Sequence, residues 1–313
     1  MKLTKRQEAE LVTAIQGRGE VPLKFAYLGE GAGKWDKIAK DRSEGGGINS
    51  VEGNLLKKRI NDFISTLNTS KGVNLVDIGC GNGSPACPII EELLSRNIKV
   101  TYVPMDISSD MLELSTKTIS QKFEGIESKP IEIDFELGQF SDVMYDIKQN
   151  GSVNLMIFLG STLGNHSDLT RVLSNFRDSM TSKDYLIVGV ELTNLTKVSK
   201  IIPHYEGDNV KNLVTHTLKY LKVDHYEVEA SWNEKYSQIE MRAKITNPIE
   251  VQVSSEKFTL EKDESILLAR SIKFTEYAVT KLFSDVGFRT ELLTTSEDRG
   301  YILTMVQPTR YSI

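Results

Sequence analysis

Cysteine is nearly absent from this chain of 313 residues: Cys80 and Cys87 are the only two. Two thiols cannot build a disulfide framework, and their spacing matches no zinc motif. The four histidines (His166, His204, His216 and His225) stand outside any His/Cys/Asp cluster, so no metal site is expected. Long apolar runs are missing too, with nothing near the ~20 residues of a membrane span. The N-terminal MKLTKRQEAELVTAIQ lacks the apolar core of a secretion signal. The expectation is a cytoplasmic chain with reduced thiols and no membrane partner. Charge of one sign is also lacking: 38 Lys+Arg against 43 Asp+Glu leave a net charge of −5. A nucleic-acid partner calls for a basic face, so none is expected. No repeat, low-complexity tract or exposed heptad occurs, and a monomer is the default expectation.

What remains is the composition of an ordinary globular protein, 39% hydrophobic and 26% charged. A chain of this length buries a sizeable core without staples. Thr4 and Gln7 form a capping box that predicts a helix through about Gln16. The stretch from Gly29 to Gly47, ending in three glycines, reads as a loop or lid. Val51, Leu55, Leu56, Ile60, Phe63, Ile64 and Leu67 then repeat at helical spacing. Beyond them, apolar runs at 74–78, 99–105, 131–135, 153–159 and 185–190 alternate with amphipathic segments at 87–96, 110–121, 140–149 and 168–180. That rhythm predicts a parallel sheet covered on both faces.

After Glu191 the alternation stops. A helical stretch at 196–221 precedes strands of two-residue alternation at 226–232 and 239–245, with a third expected at 250–254 extending the same antiparallel sheet. A helix at 275–286 and strands at 289–294 and 301–307 return the chain to the main sheet. The predicted fold is α/β: a Rossmann-like core over 61–194 and 273–313, and a smaller α+β substrate domain from 1–60 and the insertion 195–272.

The chemistry begins in VNLVDIGCGNGSP, where a strand, Asp77 and a glycine-rich turn lead directly into a helix. Gly79 and Gly81 let the backbone turn tightly and approach a ligand, and Gly83 lets the helix start close to the sheet. Pro85 suits a first helical turn. The spacing is G-x-G-x-G rather than the dinucleotide G-x-G-x-x-G. At the end of the second strand, Asp106 in VPMDIS can accept both hydrogen bonds of a ribose diol. At the end of the third, Asp134 in EIDFE can accept from an adenine amino group, with Phe135 an apolar wall beside the ring. The plainer reading is that both aspartates cap the helices that follow. Their recurrence on successive strands favours a nucleoside, although a nicotinamide dinucleotide would use the same first acid.

These residues and the longer motifs resemble the histidine-specific methyltransferase family of the ergothioneine pathway. The resemblance runs through KFAYLGEGAGKWDKI (24–38), YVPMDIS (102–108), IDFE (133–136), FLGSTLGN (158–165), VELTN (190–194), EMR (240–242) and RSIKF (270–274). It implies a class I methyltransferase core and S-adenosylmethionine as cofactor. It implies that Asp77, Gly79, Gly81, Asp106, Ser108, Asp134, Phe135 and Gly160 hold that cofactor. Asn165 would bind the amino and carboxylate end of an amino acid, Tyr205 would help hold the carboxylate, and Ser271 would contact the side chain. Tyr27 would stand beside the methyl-accepting nitrogen, making Tyr27 and Asn165 the catalytic pair.

Two positions depart from the family pattern. Histidine-specific members place an imidazole-binding carboxylate in a pattern like E-x-S-x-K-F; here ARSIKF puts Ala269 there. A second carboxylate-binding tyrosine is replaced by Gly47 or Ile48 in GGGINSVE. An imidazole N–H facing Ala269 would be left unpaired, at about 1–3 kcal/mol. The expected activity is therefore N-methylation of a small amino acid or related amine other than free histidine. Methylation of a protein or peptide, or cofactor binding without catalysis, are the alternatives.

Plainer roles stand beside these. Tyr27 and Tyr205 could be packing tyrosines, Asn165 and Ser271 helix caps, and Glu191 a structural anchor. His204, next to Tyr205, reads as a surface residue rather than a base.

Overall fold

A computed structural model describes residues 2–44, 48–148, 151–193 and 198–309. It divides into two compact units, Ala39–Thr193 with Phe274–Ile313, and Met1–Ile38 with Asn194–Lys273.

Helix α1 (Lys5–Arg18) opens with the expected capping box: Thr4 Oγ1 accepts from the Gln7 N–H at 3.3 Å, and Gln7 Oε1 from the Thr4 N–H at 2.9 Å. Gly19, left-handed at φ 60°, closes it. A 3₁₀ turn at Leu23–Tyr27 leads to α2 (Gly31–Glu44). This corrects the expected loop: Ala32, Ile38 and Ala39 recur at helical spacing and are buried, which outweighs the entropic cost of Gly31 and Gly33. The triplet Gly45-Gly46-Gly47 lies outside the described residues. In α3 (Ile48–Ser65), Leu55, Leu56, Ile60, Phe63 and Ile64 enter the main core cluster. That burial groups residues 39–60 with the sheet unit, not with the N-terminal segment as expected.

The sheet unit then runs β1 (Val73–Ile78), α4 (Cys87–Ser95), β2 (Val100–Asp106), α5 (Ser109–Lys122), β3 (Glu127–Ser128), β4 (Ile131–Glu132), α6 (Ser141–Ile147), β5 (Val153–Phe158), α7 (Leu169–Ser179) and β6 (Tyr185–Glu191). The other unit continues with α8 (Val198–Tyr205), α9 (Asp208–Val214), α10 (His216–Tyr220), β7 (Tyr226–Asn233), β8 (Gln238–Ile245), β9 (Ile249–Val253), β10 (Glu256–Leu260) and β11 (Ser265–Ile272). The chain closes the sheet with α11 (Glu276–Asp285), β12 (Phe288–Thr295) and β13 (Tyr301–Pro308).

The eight-stranded sheet has the order β12-β13-β6-β5-β1-β2-β3, with β4 also paired to β2. Neighbours from β6 to β3 are parallel, and β13 enters antiparallel between β6 and β12. Every residue of β1, β2 and β5 is buried, as a doubly covered parallel sheet requires. This is the expected Rossmann-like core. Because β1 lies between β2 and β5, the connections diverge there and leave a crevice at the carboxyl ends of the strands.

Three expected elements differ. The third strand shortens to β3 and β4, because Pro130 donates no backbone hydrogen bond and a turn begins at Asp134. The helix at 196–221 breaks into α8, α9 and α10, with Pro203 inside α8 and Gly207 in extended conformation before α9; its first residues, 196–197, lie outside the described residues. The strand near 250 forms a separate hairpin, β9 with β10, because Ser254 at φ 54° turns the chain tightly. The third strand beside β7 and β8 is instead β11.

No helix among the described residues is long and apolar enough to cross a membrane. None of the described His, Cys, Asp or Glu residues group as a metal site would require, and Cys80 and Cys87 are buried free thiols.

Candidate active site

The sheet unit gathers most of the predicted cofactor residues at the carboxyl ends of β1, β2 and β5. Gly79, Gly81 and Gly83 have φ of 61°, 52° and 76°, the left-handed region that a side chain rarely tolerates. Asp77 is buried and accepts from the Tyr102 hydroxyl at 2.8 Å. Burial pushes its carboxyl up to about 8, and the charges of Asp106 and Glu52 push the same way. Asp106, also buried, rises to about 6; the Ser108, Ile107 and Gly81 N–H groups oppose that burial effect. Its Oδ1 accepts from the Ser108 N–H at 3.0 Å. Asp106 thus ties the glycine turn to the end of β2.

Ser108 caps α5, accepting from the Met111 N–H at 3.4 Å, and is fully buried. Asp134 lies in a turn beyond β4, where its Oδ1 accepts from the Glu136 N–H at 3.1 Å; it does not cap α6. Phe135 packs edge-on to Phe158, with ring centroids 5.6 Å apart. A Cβ built on Gly79 would lie 3.7–4.0 Å from Thr162, Phe158 and Phe135, so this apolar wall borders the turn.

Gly160 and Asn165 follow β5. Gly160, at φ 72°, donates its N–H to Glu52 Oε2 at 2.9 Å. Asn165 ends a 3₁₀ turn over Thr162–Asn165, half-buried, and its amide makes no hydrogen bond among the described residues. It does not cap α7; Asp168 does, accepting from the Arg171 N–H at 2.9 Å.

The remaining predicted residues lie in the other unit. The ammonium of Lys273, buried, donates to the Tyr205 hydroxyl at 3.1 Å and to Ser271 Oγ at 3.0 Å. Each hydroxyl accepts from Lys273, so its own proton is left to donate elsewhere. On one face of the small sheet, Trp232, Ile239 and Ser271 form a cross-strand row beside Ala230, Met241 and Ala269. Ala269 therefore sits in an apolar row, one step from a hydroxyl and a cation. Tyr27 belongs to a separate cluster, edge-on to Trp35 with centroids 5.9 Å apart. His204 is exposed.

Left-handed glycines at the switch point, an anchored acid ending the next strand and a buried aromatic beside the turn make a cradle that could hold an adenosyl group. A profile described as histidine-specific methyltransferase, SAM-dependent, matches residues 8–308. The chain belongs to this family.

It is 26% identical over 219 residues to the histidine N-alpha-methyltransferase of Mycobacterium tuberculosis, covering 66% of each chain. It is 24% identical over 268 residues to the N-methyltransferase imqF of Aspergillus flavus, covering 80% of this chain and 71% of that one. Magnesium protoporphyrin IX methyltransferase from Synechocystis, solved with bound SAH, shares the fold, with a TM-score of 0.51 at 12% identity over 92% of this chain and 98% of that one. The protein is thus an S-adenosylmethionine-dependent methyltransferase whose relatives transfer methyl groups to nitrogen.

Two residues of this methyltransferase escaped the sequence-based expectations. Lys273 stood in view in RSIKF, two positions from Ser271 on the same strand face. Glu52 gave no local sign, because one acid in an amphipathic helix normally faces water.

The buried acids predict a pH dependence. In the fold Asp106 rises to about 6, Glu52 to about 7 and Asp77 to about 8, each through burial first. The folded state therefore holds protons that the unfolded chain releases near pH 4. Their contribution to stability is full below that pH and is lost as pH rises through 6 to 8. The ligand-free protein is expected to melt about 5 °C or more lower at pH 8.5 than at pH 5.5 in scanning fluorimetry. Asp77→Asn should flatten the profile; a melting point that climbs over this range refutes the assignment.

Proposed function

We propose that this methyltransferase N-methylates a small amino acid or related amine other than free histidine. The observation that carries the reading is Ala269, an apolar residue where histidine-specific members place the imidazole-binding carboxylate. Its cross-strand neighbours Met241 and Ala230 add no acceptor. Gly47, the second departure, lies outside the described residues. A more apolar or bulkier side chain than imidazole suits such a row, because it leaves no N–H unpaired.

In this reading Asp77, Gly79, Gly81, Asp106, Ser108, Asp134, Phe135 and Gly160 hold the cofactor. The family resemblance assigns Tyr27, Asn165, Tyr205 and Ser271 to the acceptor. The Asn165 amide, without a hydrogen bond among the described residues, and the hydroxyls of Tyr205 and Ser271, which accept from Lys273, support this, since each has hydrogen-bonding capacity left for a ligand.

S-adenosylmethionine, when bound, supplies an electrophilic methyl on a sulfonium. The protein's task is to hold an uncharged amine in line with that methyl and to keep water out. A model α-amine titrates near about 7.7–8.0, so a useful fraction is already neutral at pH 7 and no strong base is needed. Tyr27 orients the nitrogen, while Asn165 and Tyr205 fix the acceptor's far end.

Incubation with methyl-labelled cofactor and a panel of free amino acids and their decarboxylated amines tests the reading. Label is expected on a free amino acid or amine bearing an apolar or aromatic side chain, with histidine at least about tenfold poorer. Label accepted only by polypeptides, or histidine as the best acceptor, overturns it.

A further inference from the structure

The turn after β5 is unusual in its backbone and in what holds it. Gly160 and Ser161 are both left-handed, at φ 72° and 58°. For serine that conformation costs about 1 kcal/mol or more, and it persists only where the surroundings impose it. The surroundings are a buried polar network reaching from α3 to β13. Glu52, on α3, is 2% exposed. Its Oε2 accepts both from the Gly160 N–H at 2.9 Å and from the Tyr301 hydroxyl on β13. Ser161 Oγ accepts from the Glu191 N–H at 2.9 Å and also reaches the Tyr301 hydroxyl.

The network is packed against β6 without slack: a Cβ on Gly189 would overlap Glu52 Oε2 and the Tyr301 hydroxyl. A buried carboxyl is a costly way to satisfy one backbone N–H, and an apolar residue on α3 would serve the core better. What the acid adds is a rigid acceptor of defined reach beneath the turn.

We propose that Glu52 is a positioning residue of the cofactor site: Oε2, by fixing the Gly160 N–H, holds the Leu159–Ser161 turn in its left-handed form at the mouth of the crevice. Asn165 follows in the 3₁₀ segment that this turn launches. The inference rests on the assignment of Gly160 to the cofactor site. Burial pushes the Glu52 carboxyl up to about 7, against the Tyr301 and Gly160 hydrogen bonds. Among the described residues, Asp77 and Tyr301 interact with it electrostatically.

The test is calorimetric titration with S-adenosylhomocysteine, which needs no acceptor, on the full chain with melting points recorded alongside. Glu52→Gln keeps the reach and both accepted bonds but loses the charge; it is expected to bind within about threefold of the parent. Glu52→Asp keeps the charge but, one methylene shorter, cannot reach Gly160; it is expected to bind about tenfold or more weakly. Tyr301→Phe, which spares the Gly160 bond, should fall between them.

A folded Asp variant that binds like the parent overturns the proposal, because the acid would then matter only to stability. A Gln variant as weak as the Asp variant also overturns it, in favour of charge over reach. Gly160→Ala, strained at its positive φ, separates this failure from that of the underlying reading. If it too binds like the parent, Gly160 lies outside the cofactor site. If it alone is weak, only the role of Glu52 falls.

Discussion

Replacing Asp106 by alanine is expected to weaken S-adenosylhomocysteine binding about a hundredfold or more. The expectation starts from position: Asp106 ends β2, beside the switch point, and is buried. A ribose diol offers two O–H donors, and a carboxylate accepts both. Hydrogen bonds to a charged acceptor contribute about 1.5–3 kcal/mol each, and ~1.4 kcal/mol is a factor of ten in affinity. The loss also reaches the turn, since Gly81 and Ser108 donate their N–H groups to the same carboxylate. Asp106→Asn keeps the shape and one acceptor oxygen, so its affinity should lie between parent and alanine variant. Calorimetric titration measures both, with circular dichroism to show that the variants are folded. An alanine variant within threefold of the parent would remove Asp106 from the cofactor site.

The second large effect is a gain. Ala269→Glu is expected to raise kcat/KM for free histidine by about tenfold to a hundredfold, the return on one satisfied imidazole N–H. Ala269 and Ser271 point to the same face of β11 across from Met241 and Ile239, with no irregularity in the register between them. Lys273 donates to Ser271 on that face, so the introduced carboxylate gains a nearby cation and need not be stranded. Ala269 is half-buried, which leaves room for a longer side chain at modest cost. Steady-state kinetics with histidine and with the parent's own best acceptor decide the matter. Unchanged histidine activity in a folded variant would show that specificity is set elsewhere, Gly47 being the next position to change.

Much of this could be seen in the residues before the fold was known. Strands buried over all or nearly all their length announce themselves as apolar runs, so β1, β2, β5 and β6 lie within a residue or two of their expected bounds. The cap at Thr4 was equally clear, because a capping box involves neighbours only. Less visible was anything set by packing between distant segments. The helix α2 runs through glycines that argue against it, because burial of Ile38 and Ala39 overrides local preference. The strand expected at 250–254 as the third member of the small sheet pairs with β10 instead, and β11 takes that place, since two-residue alternation marks a strand but not its neighbour.

The site divides along the same line. Composition and local pattern by themselves determined a glycine turn after a buried strand, acids at the ends of the next two, and the family motifs. All of these lie in short contiguous segments, where chemistry and backbone conformation are dictated by adjacent residues. Only the tertiary structure decided that Lys273 orients the hydroxyls of Tyr205 and Ser271, and that Glu52 reaches under Gly160. Glu52 and Gly160 are 108 positions apart in the chain. Their pairing is made by the burial of one face of α3 against the sheet, and an apolar face says where a helix packs but not which of its polar residues is carried inside with it.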